Sequence, residues 1–319
     1  MSLRLHIVAS CTNRKRLPAP PDLRLRTVES RDLAIRARLW CSRLSEHKSP
    51  TVRVADLYCG DHWAVVQSLR IVAQTAGFAP ELRVISAGYG LVSETASVHS
   101  YSATFGRAYP DAIAVDGLAD IDGANQAWWD HLIDWPGPER GPRSLERLVR
   151  RDPSVGMLVM GSADYLRAVE KDLLAAAECL DDPRQLVVVS SHQMRDGRLQ
   201  SHVIASDSSL QDRLGGARTS LHARVGRKLF DFARSCGWDV CQLRERYMRM
   251  LASTPEGNVT ERRRLTDEDI RRFIVQELAK DSKVKATGLL RKLREGGLAC
   301  EQARFKALFV EVQKGRSGA

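Results

Sequence analysis

Short apolar runs alternate with segments of helical periodicity along the first two thirds of the chain. Five runs have the pattern of strands, the second being a strand or the approach to one: residues 3–10, 52–56, 82–86, 155–160 and 186–190. Three segments have the spacing of helices: residues 31–44, 62–76 and 163–180. This alternation predicts an α/β fold, a mainly parallel sheet with helices on both faces.

Residues 256–319 have a separate helical pattern. A linker at 256–258 is followed by three apolar-periodic segments: residues 265–280, 284–294 and 300–313. Thr266 and Asp269 have the spacing of a capping box at the start of the first of them. The sequence therefore predicts two domains, an α/β domain over residues 1–255 and a helical module over residues 256–319.

The helical module has the segment order of a helix-turn-helix or winged helix, with a glycine turn before its third helix. That third helix would read nucleic acid through Gln302, Arg304 and Lys306. The alternative is a small bundle that only packs, with Leu289, Leu293, Phe305, Leu308 and Phe309 as its core in either case.

Residues 106–150 are predicted to be irregular and carry Trp128, Trp129 and Trp135. We interpret them as an insertion packed on its tryptophans. The functional alternative is an aromatic platform for a base.

Composition limits the classes of protein that remain. Apolar residues make up 43% of the 319 residues, and no run approaches the ~20 apolar residues that cross a bilayer. The first ten residues do not resemble a signal peptide, so we expect a cytoplasmic protein without membrane contact. The seven cysteines include no Cys-x-x-Cys pair, so we expect reduced thiols, no metal and no cofactor.

Positive charge is concentrated at both ends of the chain. Residues 1–53 have a net charge of +8, residues 54–255 of −3 and residues 256–319 of +5. Basic ends suit a polyanion such as DNA. Ordinary surface charge in an arginine-rich protein is the alternative.

Small and polar residues follow the predicted strands, where ligands bind in open α/β sheets. The sequence lacks a Gly-x-x-x-x-Gly-Lys loop, a Gly-x-Ser-x-Gly elbow and a zinc-deaminase signature. Cleavage of a glycosidic bond requires less: a carboxylate or amide, a donor for the leaving base and a pocket that stacks the base.

Strand-end residues supply candidates for each of these roles. Asp56 is the first choice for the carboxylate that faces the developing sugar cation, and Asp61 and Asp164 are the alternatives. We assign Asn13 to positioning and His192 to the leaving base. Five further residues are expected to bind the substrate: Ser10, Tyr58, Asp61, Tyr89 and Tyr101. Asp61 could instead cap the helix that follows it. Four basic residues are expected to hold phosphates: Arg14, Lys15, Arg16 and Arg218.

Several of these strings resemble known families. The strings at 11–15, at 56–60, at 85–92 (Ile-Ser-Ala-Gly-Tyr-Gly-Leu-Val) and at 101–105 resemble YaaA-like proteins. Residues 161–165 and 190–192 resemble late elements of the uracil-DNA-glycosylase fold. The Gly-x-x-Pro-Gly and His-Pro-Ser-Pro loops of uracil-type enzymes are absent as such. The string at 289–305 resembles winged-helix tails of proteins that act on DNA.

The overall layout is similar to bacterial anti-phage DNA glycosylases. The resemblance implies a uracil-DNA-glycosylase-like domain with a winged-helix-like module. It also implies excision of a modified base, such as glucosylated hydroxymethylcytosine of phage DNA, from a duplex. Two alternatives stay open: a glycosyl-transfer enzyme acting on nucleosides, nucleotides or an RNA base, and a DNA-binding regulator that is not an enzyme.

Overall fold

The computed structural model describes residues 2–107, 109–114, 120–191, 193–253, 263–281 and 284–317. The chain divides into two compact units, Met1–Pro255 and Glu256–Ala319, whose bounds are those of the two predicted domains. Each unit has its own apolar core.

The first unit is α/β. Its strands are β1 (Arg4–Ser10), β2 (Val52–Arg53), β3 (Ala79–Ser86), β4 (Gly90–Ser93), β5 (Ser97–Val98), β6 (Gly156–Met160), β7 (Leu186–Ser190) and β8 (Val203–Ala205). Its helices are α1 (Leu33–Glu46), α2 (Val54–Leu57), α3 (Asp61–Thr75), α4 (Ile121–Asp134), α5 (Leu145–Arg150), α6 (Ala163–Ala168), α7 (Glu170–Cys179), α8 (Gln211–Leu214), α9 (Leu221–Cys236) and α10 (Val240–Ala252).

Six strands form one sheet in the order β4-β3-β1-β6-β7-β8. All neighbours are parallel except β4, which returns antiparallel to β3. Every residue of β6 and β7 is buried, as expected for central strands covered on both faces. Helix α9 packs on β6 and β7, and α3 packs on β3 and α9. The predicted mainly parallel α/β sheet flanked by helices is confirmed.

The predicted strand at 52–56 is wrong beyond its first two residues. Strand β2 pairs antiparallel with β5, outside the central sheet, and helix α2 begins at Val54. Val54 and Leu57 are both buried, which is a spacing of one helical turn rather than of a strand. The residues at 56–61 therefore do not follow a strand of the central sheet.

Two further predictions are corrected. Residues 106–150 are not irregular, because α4 occupies fourteen of them and α5 six. Trp128 and Trp129 are fully buried, which supports packing on the tryptophans over a platform for a base. The single helix predicted at 163–180 is two helices, α6 and α7, with Val169 between them.

The second unit contains α11 (Asp267–Lys280), α12 (Ala286–Glu295) and α13 (Gln302–Ser317), with a short parallel pair of β9 (Arg263–Arg264) and β10 (Leu298–Ala299). Thr266 and Asp269 form the predicted capping box. The five residues predicted as its core are all buried. In the described part of the chain, no helix is both long and apolar enough to cross a membrane.

Candidate functional site

A cluster of buried hydroxyls and one thiol lies where β1 and β3 end. The phenol oxygen of Tyr101 is at its centre, 2.9 Å from the Tyr58 hydroxyl and 2.7 Å from Ser86 Oγ. The thiol of Cys11, the first residue after β1, is 3.6 Å from the same phenol. These side chains approach one another because parallel strands bring their carboxyl ends to one edge of the sheet.

The cluster continues through Tyr165 in the first turn of α6. Its hydroxyl is 3.3 Å from Cys11 Sγ and 3.4 Å from Thr104 Oγ1. We call Cys11, Tyr58, Ser86, Tyr101, Thr104 and Tyr165 the hydroxyl cluster.

The three phenols of the hydroxyl cluster stay protonated at neutral pH. Burial is the main cause that raises the pKa of Tyr58, Tyr101 and Tyr165 well above the ordinary value of 10, and the charge of Cys11 adds to it. Each phenol therefore remains able to donate a hydrogen bond. Such an array can deliver protons or hold a polar ligand in a dry environment.

Hydrogen bonds in the turn between β3 and β4 fix the position of Ser86, a member of the hydroxyl cluster. Ser86 Oγ accepts hydrogen bonds from the backbone N–H groups of Tyr89 (3.0 Å) and Gly88 (3.3 Å). From outside, the indole N–H groups of Trp40 and Trp128 donate to the carbonyl oxygens of Gly88 and Ala87, both at 2.9 Å. These four bonds fix the backbone of the first four residues of the string Ser-Ala-Gly-Tyr-Gly-Leu.

We expect a Gly88→Ala substitution to displace the Tyr101 ring. A Cβ at position 88 would lie 2.4 Å from a ring carbon of Tyr101, far inside van der Waals contact. Overpacking of this kind costs about 1–3 kcal/mol. Urea unfolding followed by tryptophan fluorescence measures that loss, because all six tryptophans belong to the first unit.

The matched control is Gly197→Ala, because nothing lies within 4 Å of a Cβ there. Equal unfolding midpoints for the two variants would contradict the close packing of Gly88 on Tyr101.

Lys15 turns toward the hydroxyl cluster, whereas Arg14 and Arg16 are exposed. Its Nζ lies 4.2 Å from the centre of the Tyr101 ring and 5.7 Å from that of Tyr58. Burial lowers the pKa of the Lys15 ammonium below its ordinary value of 10.5, although the charges of Cys11 and Asp111 oppose the shift. The phosphate contact predicted for Lys15 stays a prediction, and in the structure its amine lies against aromatic rings.

A basic cleft of about 300 Å³ lies beside the hydroxyl cluster. Its lining includes the cations of Arg26, Arg36 and Arg107 and the exposed ring of Tyr109. The cleft adjoins the cluster because Thr104 pairs with Ala112 in the cleft wall. We call these lining residues the arginine cleft.

Two buried carboxylates neutralise part of this charge. Asp111 accepts hydrogen bonds from Ser102 Oγ (2.7 Å) and from the backbone N–H of Arg26 (3.0 Å). Asp122, only 3% exposed, pairs with Arg107 at 3.0 Å and also with Arg195. Acidic groups thus hold Arg26 and Arg107, whereas the buried Arg36 donates to the carbonyl oxygens of Ile113 and Leu25.

The structure brings some of the predicted site residues together and separates others. Tyr58 and Tyr101 are in the hydroxyl cluster, and Tyr89 packs edge-on against Tyr101 with ring centres 5.2 Å apart. The Tyr89 hydroxyl bonds the backbone of His99, so the residue supports Tyr101 from behind rather than forming a pocket wall.

Asp56 lies away from the hydroxyl cluster. It is an exposed residue of α2, and its carboxylate is 2.8 Å from Arg53 Nε. Asp56 has no hydrogen bond to a member of the hydroxyl cluster, whereas Tyr58, two residues later, has one to Tyr101. Asn13 is also exposed, and His192 lies outside the described residues.

Asp61 is the first residue of α3, not the cap before it. Its carboxylate accepts from Ser220 Oγ at 2.5 Å, from the backbone N–H of Ala217 at 3.2 Å and from Arg224 at 2.6 Å. These bonds lower the pKa of Asp61 and fasten the segment before α9 to the start of α3. Arg218, within that fastened segment, is exposed.

Ser10, the last residue of β1, is buried, and its carbonyl oxygen is 3.0 Å from His62 Nε2. The His62 ring in turn lies 4.9 Å from the His222 ring. Ser10 thus contacts His62 through its backbone carbonyl group.

The predicted contacts of the second unit differ in their surroundings. Gln302 and Lys306 are exposed. Arg304 instead pairs with Asp267 and donates to the Leu265 carbonyl oxygen at 3.1 Å, which ties α13 to the start of α11. Arg304 therefore has a structural partner inside its own unit.

Cys11, Ser86, Thr104 and Tyr165 were not selected as site residues from the sequence. Their signal was present, since each stands in a string that carries the family resemblance. Only the fold shows that those strings meet at one edge. In the described part of the chain, no group of three or more histidine, cysteine, aspartate or glutamate residues could hold a metal ion.

Comparison with protein families, with curated proteins and with solved structures found no match to this chain.

Proposed function

We propose that the protein is a DNA N-glycosylase that excises a modified base and leaves an abasic site. The base of first choice is glucosylated hydroxymethylcytosine of phage DNA, which would make the protein a cytoplasmic antiviral enzyme. The proposal rests above all on one observation: Lys15 and the arginine cleft each adjoin the hydroxyl cluster, which lies where β1 and β3 end.

The hydroxyl cluster suits the departure of a base. A glycosidic bond breaks more readily when the leaving base receives a proton or hydrogen bond as its charge develops. Protonated phenols of Tyr58, Tyr101 and Tyr165 are donors of that kind. The base would reach them by flipping out of the duplex, at a cost of a few kcal/mol in unstacking.

The arginine cleft suits the phosphates that flank a flipped nucleotide. Arginine guanidinium groups match phosphate oxygens in pairs, and the exposed Tyr109 ring offers a face on which a neighbouring base can stack. Arg14 and Arg16, exposed beside Lys15, extend the basic surface.

The finer fold assignments belong to the same proposal. We propose a uracil-DNA-glycosylase-like arrangement for the first unit and a winged-helix-like DNA-binding role for the second. The short parallel β9–β10 pair, with β10 packed on α12, supports the latter, since winged helices combine three helices with short strands.

Incubation with plain and glucosylated duplexes followed by alkali tests the proposal. Alkali-labile sites on glucosylated phage DNA are the expected result, because an abasic site breaks under alkali. Absence of such sites on every duplex would overturn it. Free base from nucleotides without polymer would favour the glycosyl-transfer alternative, and sequence-specific retention without base release would favour a regulator.

We expect Arg26→Gln to weaken binding of all duplexes alike. One phosphate contact fewer lowers the slope of log affinity against log salt by about 1. Fluorescence anisotropy of a labelled duplex at several salt concentrations measures that slope.

Arg184→Gln is the control, because Arg184 is 64% exposed and precedes β7, at the opposite edge of the sheet. Identical slopes for Arg26→Gln and wild type would remove the arginine cleft from the DNA surface.

A further inference from the structure

Backbone hydrogen bonds hold Lys15 beside the hydroxyl cluster. Its backbone pairs with that of Tyr58, and the neighbouring bonds Arg16 N–H to Leu57 O (2.8 Å) and Cys59 N–H to Arg14 O (3.0 Å) fix the segment on both sides. The stem of Lys15 therefore leaves a rigid backbone. Its amine lies on the face of Tyr101, 4.2 Å from the ring centre, and its chain neighbours Arg14 and Arg16 are exposed.

The surroundings of Lys15 lower the pKa of its side-chain amine below that of an exposed lysine. Burial is the main cause of its lowered pKa. Asp111, whose charge favours the ammonium form, has its carboxylate engaged by Ser102 and the Arg26 backbone. A larger share of Lys15 is thus unprotonated near neutral pH than of an exposed lysine, and an unprotonated amine is a nucleophile.

We propose that Lys15 attacks C1′ of the target nucleotide, so that base excision is followed by cleavage of the DNA strand. This inference rests on the proposed function, because it names the group that performs the reaction at the same site. It adds an activity, that of an abasic-site lyase, to release of the base.

The bonds and protons of the reaction balance as follows. The Lys15 nitrogen forms a bond to C1′ while the C1′–N bond to the base breaks, and the base leaves with that electron pair. One amine proton passes to the departing base through the phenols of the hydroxyl cluster. Opening of the sugar ring then places a C1′=N double bond between the sugar and Lys15, and O4′ takes a proton from solvent.

Strand cleavage follows from that protonated imine. Water takes a proton from C2′, the electron pair of that C–H bond forms a C2′=C3′ double bond, and the 3′ phosphate leaves with the electron pair of the broken C3′–O bond. Water then hydrolyses the imine and restores the amine. No oxidant, reductant or metal takes part in these steps.

A phosphate contact is the rival role for Lys15, and it makes a different prediction. Arginine keeps the positive charge and the ability to bind phosphate but cannot form an imine with a sugar. Lys15→Arg therefore separates the two roles, and Lys15→Gln removes both. Lys48→Arg, at an exposed lysine just after α1, is the matched control.

Reduction with sodium borohydride tests the imine directly. The full-length protein is incubated with a synthetic duplex that carries a preformed aldehydic abasic site, and separately with glucosylated phage DNA, each with and without borohydride. We expect a covalent protein–DNA complex for wild type and Lys48→Arg, and its loss in Lys15→Arg and Lys15→Gln. Peptide mapping should place the adduct on Lys15.

The possible outcomes separate this inference from the proposed function. Trapping of Lys15→Arg at the wild-type yield, or an adduct on another amine, overturns the inference. Free base released into a strand that breaks only with alkali, without a trapped complex, also overturns it and leaves the glycosylase intact.

Absence of base release, with trapping on the preformed abasic site through Lys15, supports the lyase and overturns the glycosylase. Absence of both overturns both. Equal unfolding midpoints and duplex affinities for Lys15→Arg and wild type show that a loss of trapping is chemical rather than structural.

Discussion

Tyr101→Phe is expected to lower base release by about 100-fold, the lower end of what a positioned proton donor contributes. The substitution removes the hydroxyl that contacts Tyr58, Ser86 and Cys11 at once. It keeps the ring on which Lys15 lies and its edge-on contact with Tyr89. The rate of base release in single-turnover experiments is the measurement.

The same substitution should also lower stability, because Tyr58 and Ser86 lose a buried partner. Each unsatisfied group costs about 1–3 kcal/mol. Tyr247→Phe is the matched control, since its buried hydroxyl donates to the Ala205 carbonyl oxygen at 2.5 Å, outside the hydroxyl cluster. A Tyr101→Phe enzyme as active as Tyr247→Phe would exclude the cluster from the chemistry.

Acid is expected to destabilise the first unit through His222. Burial lowers the pKa of His222 from the ordinary 6.5 to about 3, and the charge of His62 acts in the same direction. In the unfolded chain the His222 imidazole is therefore protonated below about pH 6.5, whereas in the folded protein it stays neutral down to about pH 3. Stability is complete above pH 6.5 and falls as the pH drops toward 3, by up to about 1.4 kcal/mol per pH unit.

Urea unfolding at pH 7.5 and pH 5.0, followed by tryptophan fluorescence, measures this loss. Burial lowers the pKa of His62 and also that of His6, the latter to about 4, so the wild type should lose several kcal/mol. His222→Leu should lose about 2 kcal/mol less between the two pH values, whatever its stability at pH 7.5. Equal losses in the two proteins would show that His222 does not take up the proton.

The central sheet could be predicted from the sequence, because its strands are apolar runs with turn residues at their ends. Strands β6 and β7 need cover on both faces, so nearly every residue in them is apolar and the signal is strong. The strand predicted at 52–56 was wrong beyond Arg53, because the buried pair Val54 and Leu57 has the spacing of one helical turn and Leu57 lies beyond the predicted strand. Helix α4 was not predicted, because the prolines near it suggested an irregular insertion.

The hydroxyl cluster could be predicted only in part. The rule that ligands bind at strand ends selected Tyr58 and the turn that contains Ser86, and Tyr101 was proposed as a ring that could stack a base. It did not show that Cys11 and Tyr165, 154 residues apart, touch each other. That contact depends on β1 and β6 being neighbours, which local sequence does not encode.

The carboxylates show the same limit. Asp56 was predicted as the catalytic carboxylate because it follows a predicted strand. In the structure it belongs to the short helix α2 and is exposed to solvent. Asp111, which acts on the charge of Lys15, lay in a segment predicted to be irregular. A charged residue reveals its role only through the groups that surround it, and those come from distant parts of the chain.

Mass spectrometry of the small molecules released from glucosylated phage DNA shows whether the protein excises the base. We expect free glucosylated hydroxymethylcytosine base with the wild-type protein, and about 100-fold less with Tyr101→Phe under the same conditions. Complete retention of the base on the DNA by wild type, with duplex binding intact, would contradict the proposed function.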